Sequence, residues 1–441
     1  MGCRKLTQTD PASDLLTVSR VFSSDATAEE AMNAYYISAL FASRSFMNGG
    51  ISLDAGLSAD ELDCKIKPIP PEDSFRRNEL MANSILSNNL FGGAYSLIYQ
   101  LNSMLEGIAK SMGMSAAVRS ELKGEAEFNR AFLYFYLVNL YGPVPLVLGT
   151  DFLQNERLPR AAADSIYAQI VSDLEDAQQS LPADYIDAAG YAGDRTRPNQ
   201  AAATALLARI CLYLGHWASA DSAASVVIAN ARYQMESNLD DVFLSGSREA
   251  IWQLQSVHGA EADSMVYLFM MGRPGPAFVF TADLLGDFET GDLRRQHWTK
   301  SSIYGGVTYS YPYKYKSLNG GATQYETVLR LAEQYLVRAE ARVQEGNLAG
   351  AMADLNTIRS RAGLANTTAT TTAAVMAAVL QERRIELMTE WGHRWLDLKR
   401  TGQADAVLSA EKSGWNPYDA LYPIPTTVIQ QSPGMQQNPG Y

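Results

Sequence analysis

Residues that build metal centres and disulfide frameworks are scarce in this chain. Its 441 residues include three cysteines and four histidines. Cys3, Cys64 and Cys211 are far apart and odd in number, which excludes a complete disulfide framework. His216, His258, His297 and His393 show no His-x-x-x-His spacing, so no metal site and no cofactor is expected. A P-loop, a GxSxG elbow and a strand-borne Rossmann glycine run are all missing. No apolar run approaches the roughly twenty residues of a membrane-spanning helix. Basic residues never cluster beyond short pairs against a net charge of −12, so nucleic acid is not an expected partner.

Tyrosine is abundant, with 23 copies, and its flat face and polar tip suit wet ligand surfaces as well as core edges. Hydrophobic residues make up 47% and charged residues 19%, the balance of an ordinary globular protein long enough to bury a large core. Carboxylate pairs such as Glu125/Glu127 and Asp240/Asp241 have the residue type of a glycosidase acid–base pair. Solvated helix faces explain them more simply, and no catalytic residue is expected.

The clearest internal pattern is a repeat. Ala201, Ala205, Ala208 and Leu212 recur, 131 positions later, as Ala332, Leu336, Ala339 and Val343. The match passes through Gly215 and Gly346 into Ala220/Ala351, Ala224/Leu355 and Val227/Ile358. This is the periodicity of two antiparallel amphipathic helices about a glycine turn, similar to a tetratricopeptide unit. A third unit is expected over Glu125–Leu181, interrupted by an extended Tyr141–Gly149 segment, and a fourth from Ala26–Ser45 with Phe91–Lys110. The expected fold class is mostly α: a tetratricopeptide-like helical-hairpin scaffold with loop-rich, short-strand insertions. The scaffold covers about 26–45, 91–230 and 326–400 within one unit, 1–441. Insertions at about 48–89 and 233–325 carry short strand-like runs, including a half-buried strand at Ala250–Val257.

Near the C-terminus, Glu382–Gly402 (ERRIELMTEWGHRWLDLKRTG) is expected to form a helix with Trp391, Trp395 and Leu398 on one face. Its Glu382, Arg383, Arg384 and Glu386 are close enough to pair along or between helices, and Glu386 and Glu390 beside Arg394 suit a structural ion-pair network. Pro423, Pro425, Pro433 and Pro439 then exclude helix, so 403–441 is expected as an extended tail laid on the scaffold. At the other end, Gly2-Cys3 allows two lipid readings. N-myristoylation wants Ser or Thr where Leu6 stands, whereas a bacterial lipoprotein cysteine fits if the leader has been removed.

Several segments, in order along the chain, resemble the SusD/RagB family of outer-membrane nutrient-binding lipoproteins. They are EAEFNRAFLYFYLVNLYGPVPLV, RLPRAAADSIYAQIVSDLEDAQQSLP, DRTRPNQAAATALLARICLYLGHW, GDLRRQ (Gly291–Gln296), YPYKY (Tyr311–Tyr315), RLAEQYLVRAEA and the C-terminal block. The resemblance implies a protein lipid-anchored through Cys3 to the outer face of the outer membrane. It implies capture of glycans, or in some members peptides, for a TonB-dependent porin-like partner. The chain is shorter than many members, and the shortfall is expected in loops where ligand is touched.

Rings lying flat on sugars need only weak affinity for such a handover. About three rings at roughly 1 kcal/mol each, with a few hydrogen bonds, give millimolar to micromolar binding. Trp252, Phe280 and Tyr313 are read as core, and Trp217, Trp391 and Trp395 as packing. The expected ligand contacts are therefore Phe75, Tyr267, Phe269, Arg273, Trp298, Tyr304 and Tyr309. Capture of peptides or glycoproteins by the same scaffold, an intracellular tetratricopeptide-type interaction scaffold with unmodified Cys3, and a hydrolase are the alternatives.

Overall fold

A computed structural model describes residues 18–42, 44–64, 70–185, 193–255, 275–316, 324–432 and 434–441. At its centre runs the helix Ala116–Tyr141, whose residues from Gly124 to Val138 are all buried. From Ala131 to Val138 its sequence is apolar around the whole circumference, which suits a helix enclosed by protein on every side. Phe132 meets Trp252 and Trp391 edge-on, both at 5.2 Å between ring centres. The few polar groups are paired: Arg130 donates to both carboxylate oxygens of Asp173 on the neighbouring Ala163–Ser180 helix, at 2.8 and 2.7 Å.

The repeated segments form helical hairpins. Gln200–Tyr213 turns into Trp217–Ile228 at Gly215, and Leu331–Gln344 turns into Leu348–Arg361 at Gly346. Both glycines have positive φ, +70° and +81°, the left-handed backbone that ends a helix without strain only where there is no Cβ. The hairpins pack on one another and share a buried ion pair, Arg209 with Glu333, at 2.5 and 2.6 Å. The molecule is thus mostly helical, and among the described residues the strands pair only in twos.

Among the described residues there are four antiparallel pairs, three between separate segments and one a local hairpin. They are β1 (Leu62–Asp63) with β5 (Val279–Phe280), β2 (Val144–Pro145) with β3 (Arg160–Ala161), β4 (Ala250–Leu254) with β8 (Glu326–Arg330), and β6 (Thr299–Tyr304) with β7 (Val307–Pro312). All five residues of β4 are buried rather than every second one, because Trp252 meets Phe128 and Phe132 while Gln253 bonds Thr327 on β8. Residues near 48–89 also differ from expectation, since Gly50–Ser58 and Pro70–Arg77 are helical. Gly50 makes the first possible, for a Cβ there would lie 2.6 Å from the carbonyl oxygen of Ser45.

The expected long C-terminal helix is broken. Thr372–Glu386 ends, Thr389, Trp391 and Gly392 take φ of +57°, +47° and +68°, and a second helix runs His393–Arg400. The bend is held by the Trp391 N–H donating to Ser52 Oγ and its indole N–H donating to Thr327 O, at 2.9 and 3.0 Å. The tail beyond is not wholly extended. Ala404–Glu411 and Thr426–Gln431 are helical, and Pro425 is tolerated because it stands just before the first turn, where no N–H is required.

The bend delivers Glu386 and Glu390 to a buried charge cluster. Arg330, at the end of β8, donates to Glu386 at 2.6 Å, Glu390 at 2.8 and 2.9 Å, and Glu249 at 2.9 Å. Arg361 also pairs with Glu249 and Glu386, while Arg294 pairs with Asp292, Glu382 and Glu386. Burial alone would push the Glu386 carboxyl up, but the guanidiniums of Arg361, Arg330 and Arg294 hold it well below the usual carboxylate range. Replacing Arg330 by Met takes from three buried carboxylates the one cation they share, leaving Arg361, Arg294 and Lys314 to balance them, and should lower stability by about 3–5 kcal/mol in chemical denaturation.

Glu326 in β8 has no such cation, and burial pushes its carboxyl up to about 8 from an ordinary 4.5, against the opposing backbone hydrogen bond from Gly49. The native state therefore holds a proton that the unfolded chain releases, so this group's contribution to stability falls as pH rises from about 4.5 to about 8. Denaturation between about pH 6 and about pH 9 should show a smaller loss of stability in Glu326→Gln than in the parent.

Candidate functional site

The two insertions meet. Leu62 pairs with Phe280 and Asp63 with Val279, and the Thr281 hydroxyl donates to Asp60 O at 2.7 Å. Beside this junction β5 lies along β7, the second strand of the exposed β6–β7 hairpin. The hairpin turns at Gly305 and Gly306, with φ of +60° and +79°, as a two-residue loop between right-twisted strands requires. Ser302 stands opposite Tyr309, and Tyr304 opposite Val307. Cross-strand partners share a face, so Tyr304 and Tyr309 are diagonal neighbours on one face, both half-buried.

That face continues past the strand end. The Tyr313 N–H donates to Trp298 O at 2.9 Å, which extends the ladder by one rung. Tyr313 is half-buried rather than core. The Lys300 ammonium sits 4.5 Å from the centre of its ring and 3.4 Å from its hydroxyl. Lys316 approaches the same ring at 5.5 Å and pairs with Asp240, which also lies 3.0 Å from His297 Nδ1. Tyrosine rings, a lysine and a polar edge together offer flat apolar faces with donors and acceptors at their rims, the requirements for gripping a hydroxylated ring. The alternation of Tyr309, Tyr311 and Tyr313 could have placed Tyr313 here from sequence.

Two of the expected contacts lie in the interior instead. Trp298 is fully buried; its indole N–H donates to Leu239 O at 3.0 Å, and Phe243 meets its ring edge-on at 5.6 Å. Lys314, Arg361 and Arg330 stand 4.6, 5.6 and 5.8 Å from its centre, so its face covers the buried charge cluster rather than a ligand. Phe75 is also fully buried, and meets Tyr422 of the tail edge-on at 5.4 Å. Tyr267, Phe269, Arg273 and Cys3 lie outside the described residues. Trp252 and Phe280 are buried as expected.

Lys314 joins the hairpin root to the cluster, donating to the carbonyls of Glu386 and Met388 at 2.9 and 2.8 Å. Burial lowers its ammonium to about 8, despite the opposing attraction of Glu390. A groove of about 790 Å³ opens elsewhere, between the Ala163–Ser180, Gln200–Tyr213 and Trp217–Ile228 helices, lined by uncharged Gln178, Thr204 and Ser222. Among the described residues no group of three or more His, Cys, Asp or Glu could hold a metal, and no helix is long and apolar enough to cross a membrane. Trp298→Ala should cost about 3–5 kcal/mol of stability, as a core aromatic does. Tyr304→Ala should change stability by less than about 1 kcal/mol, both read from denaturation midpoints.

Residues 286–441 match the model of the SusD family, and residues 73–212 match one described as starch-binding associating with outer membrane. SusD-like protein P25 of Formosa agariphila is 25% identical, over 98% of this chain and 94% of its own length. A SusD superfamily protein from Bacteroides vulgatus superposes with a TM-score of 0.81 at 21% identity, covering 95% of this chain and 99% of its own. A laminarin-binding SusD-like protein superposes with a TM-score of 0.80 at 24% identity, covering 94% of this chain and 99% of its own. At these identities the superpositions establish a common fold.

Proposed function

The chain belongs to the SusD/RagB family, whose members bind rather than transform their ligands, and from that premise we propose that it captures glycans at the cell surface. Its cargo is an oligosaccharide or polysaccharide, passed to a TonB-dependent transporter in the outer membrane. Cys3 carries the lipid that keeps the protein there. Association with the outer membrane is named for the family model matched by residues 73–212, and glycan binding by the laminarin-binding relative.

The observation behind this reading is the hairpin face, where Tyr304 and Tyr309 flank an open edge that ends in the Lys300–Tyr313 pair. A sugar lying across such rings gains about 1 kcal/mol from each, so affinity stays in the range from which cargo can be released. The buried Trp298 serves this surface only by holding the backbone beneath it, its carbonyl accepting from the Tyr313 N–H, and the buried Phe75 packs against the tail. Tyr267, Phe269 and Arg273, in the same insertion, belong to the proposed contact set.

Titration calorimetry of the purified protein against laminarin, starch, other plant and host glycans and peptides tests the proposal. In the double variant Tyr304→Ala/Tyr309→Ala, affinity for the bound glycan should fall by roughly 10- to 30-fold, about 2 kcal/mol, with the melting temperature unchanged. An unaltered affinity would remove the hairpin face from the site, and binding of peptides alone would overturn the glycan assignment.

A further inference from the structure

We infer that one end of the helical body is a membrane-contacting edge, which dips into the boundary between lipid headgroups and acyl chains. The inference rests on the proposed lipidation of Cys3, and it concerns a surface remote in sequence from the tyrosine hairpin.

The helix Ile85–Lys110 fixes the geometry. Along its length Tyr95 donates to Pro145 O at 2.7 Å and Asn102 donates to Val147 O at 2.9 Å, while Glu106 accepts from the Thr150 N–H at 2.9 Å. Residues 145–150 therefore run in an extended path toward the helix's C-terminal end. They turn back there, where Asn155 donates to Gly149 O at 2.9 Å, and return to the β2–β3 pair at Arg160. The loop so formed exposes Leu148, Phe152 and Leu153, which are 42, 72 and 63% open to solvent.

The described chain begins at this same end. Phe22 lies against Gly107 so closely that a Cβ there would collide with its ring, and Ser111 donates to Phe22 O at 2.6 Å. Val18 is 50% exposed, and Met112, in the turn after the helix, is 96% exposed. Glu106 joins the two patches, bonding Thr150 on one side and lying 3.7 Å from the Lys110 ammonium on the other.

Single exposed apolar side chains are ordinary, but several gathered at one end of a body mark a surface that water does not normally cover. Lipid fits as the occupant because of where the chain leads. Fifteen positions separate Val18 from Cys3, a span of at most about 50 Å when extended. Acyl chains on Cys3 would hold this end close to the bilayer, where Phe, Leu and Met side chains favour the interface. Charges on the edge are mixed, Lys110 beside Glu106 and Arg157 beside Glu156 with Asp151 nearby, so zwitterionic lipid of no net charge suffices and no anionic surface is needed.

The test uses the lipidated full chain in phosphatidylcholine vesicles containing brominated phosphatidylcholine, with a tryptophan reporter at Phe152→Trp and a control at Met81→Trp. Met81 is 64% exposed and precedes the opposite end of the Ile85–Lys110 helix. The emission added by F152W should be quenched by at least roughly half, and that added by M81W should not. F152W left unquenched on vesicles that retain the protein would overturn the edge while leaving the anchor intact. So would F152W shielded from an aqueous quencher only in the complex with a transporter, since that would assign the edge to protein. Failure of the native protein to stay on vesicles, or retention unaffected by Cys3→Ala, would overturn the anchored reading and this inference with it. Glycan affinity, measured separately, reports on neither.

Discussion

Everything near the tyrosine hairpin depends on a buried exchange of charge around Arg330. Its guanidinium reaches Glu249 before β4, Glu386 ahead of the C-terminal bend and Glu390 within it. Arg294 enters the same cluster from the helix that precedes β6, and Lys314 from the chain that follows β7. Ions removed from water are tolerable only when each finds several partners, so any one of them fixes the position of the others. Both roots of the hairpin are thus clamped to the scaffold, while its tip faces water. A recognition surface gains from such a mounting, because rings held in place lose little freedom when ligand arrives.

Seen this way, the short motifs that carry the family resemblance have a physical role distinct from ligand contact. GDLRRQ contributes Asp292 and Arg294, and YPYKY contributes Lys314. RLAEQY supplies Arg330 at its start and the buried Glu333 that pairs with Arg209. ERRIELMTEW supplies Glu382, Glu386 and Glu390. Trp298 closes over the cations of this assembly. The segments most recognisable in the chain are those that hold the frame; of the rings at the site, Tyr304 and Tyr309 lie between GDLRRQ and YPYKY, and Tyr313 lies within the second.

The helical hairpins were legible because they rest on a period that survives without tertiary context: small and branched residues at intervals of three and four, and glycines at Gly215 and Gly346. The reverse bend at Thr389–Gly392 was not, because Trp391, Trp395 and Leu398 obey helical spacing. Only Ser52 and Thr327, far off in sequence, reveal the partners that favour a break. Pattern likewise shows that residue 298 is aromatic, but its burial depends on Leu239, Phe243 and the cations beneath. The burial of Phe75 escapes the pattern for the same reason, its partner Tyr422 lying in the tail. Tyr304 and Tyr309 share a face through a two-glycine turn, a local rule readable directly from the sequence.

Tyr422 has one more implication. Its ring packs between Phe75, Tyr141 and Trp395, and its hydroxyl bonds to Ser58, 364 positions upstream. The interior is therefore closed by a segment 364 positions away from the Ser58 it seals against. Contacts of such long range form slowly, and none of them can form until the chain has been made through Tyr422. Until then the growing polypeptide keeps its first helices unsealed, and the order of synthesis dictates the order in which the core can shut.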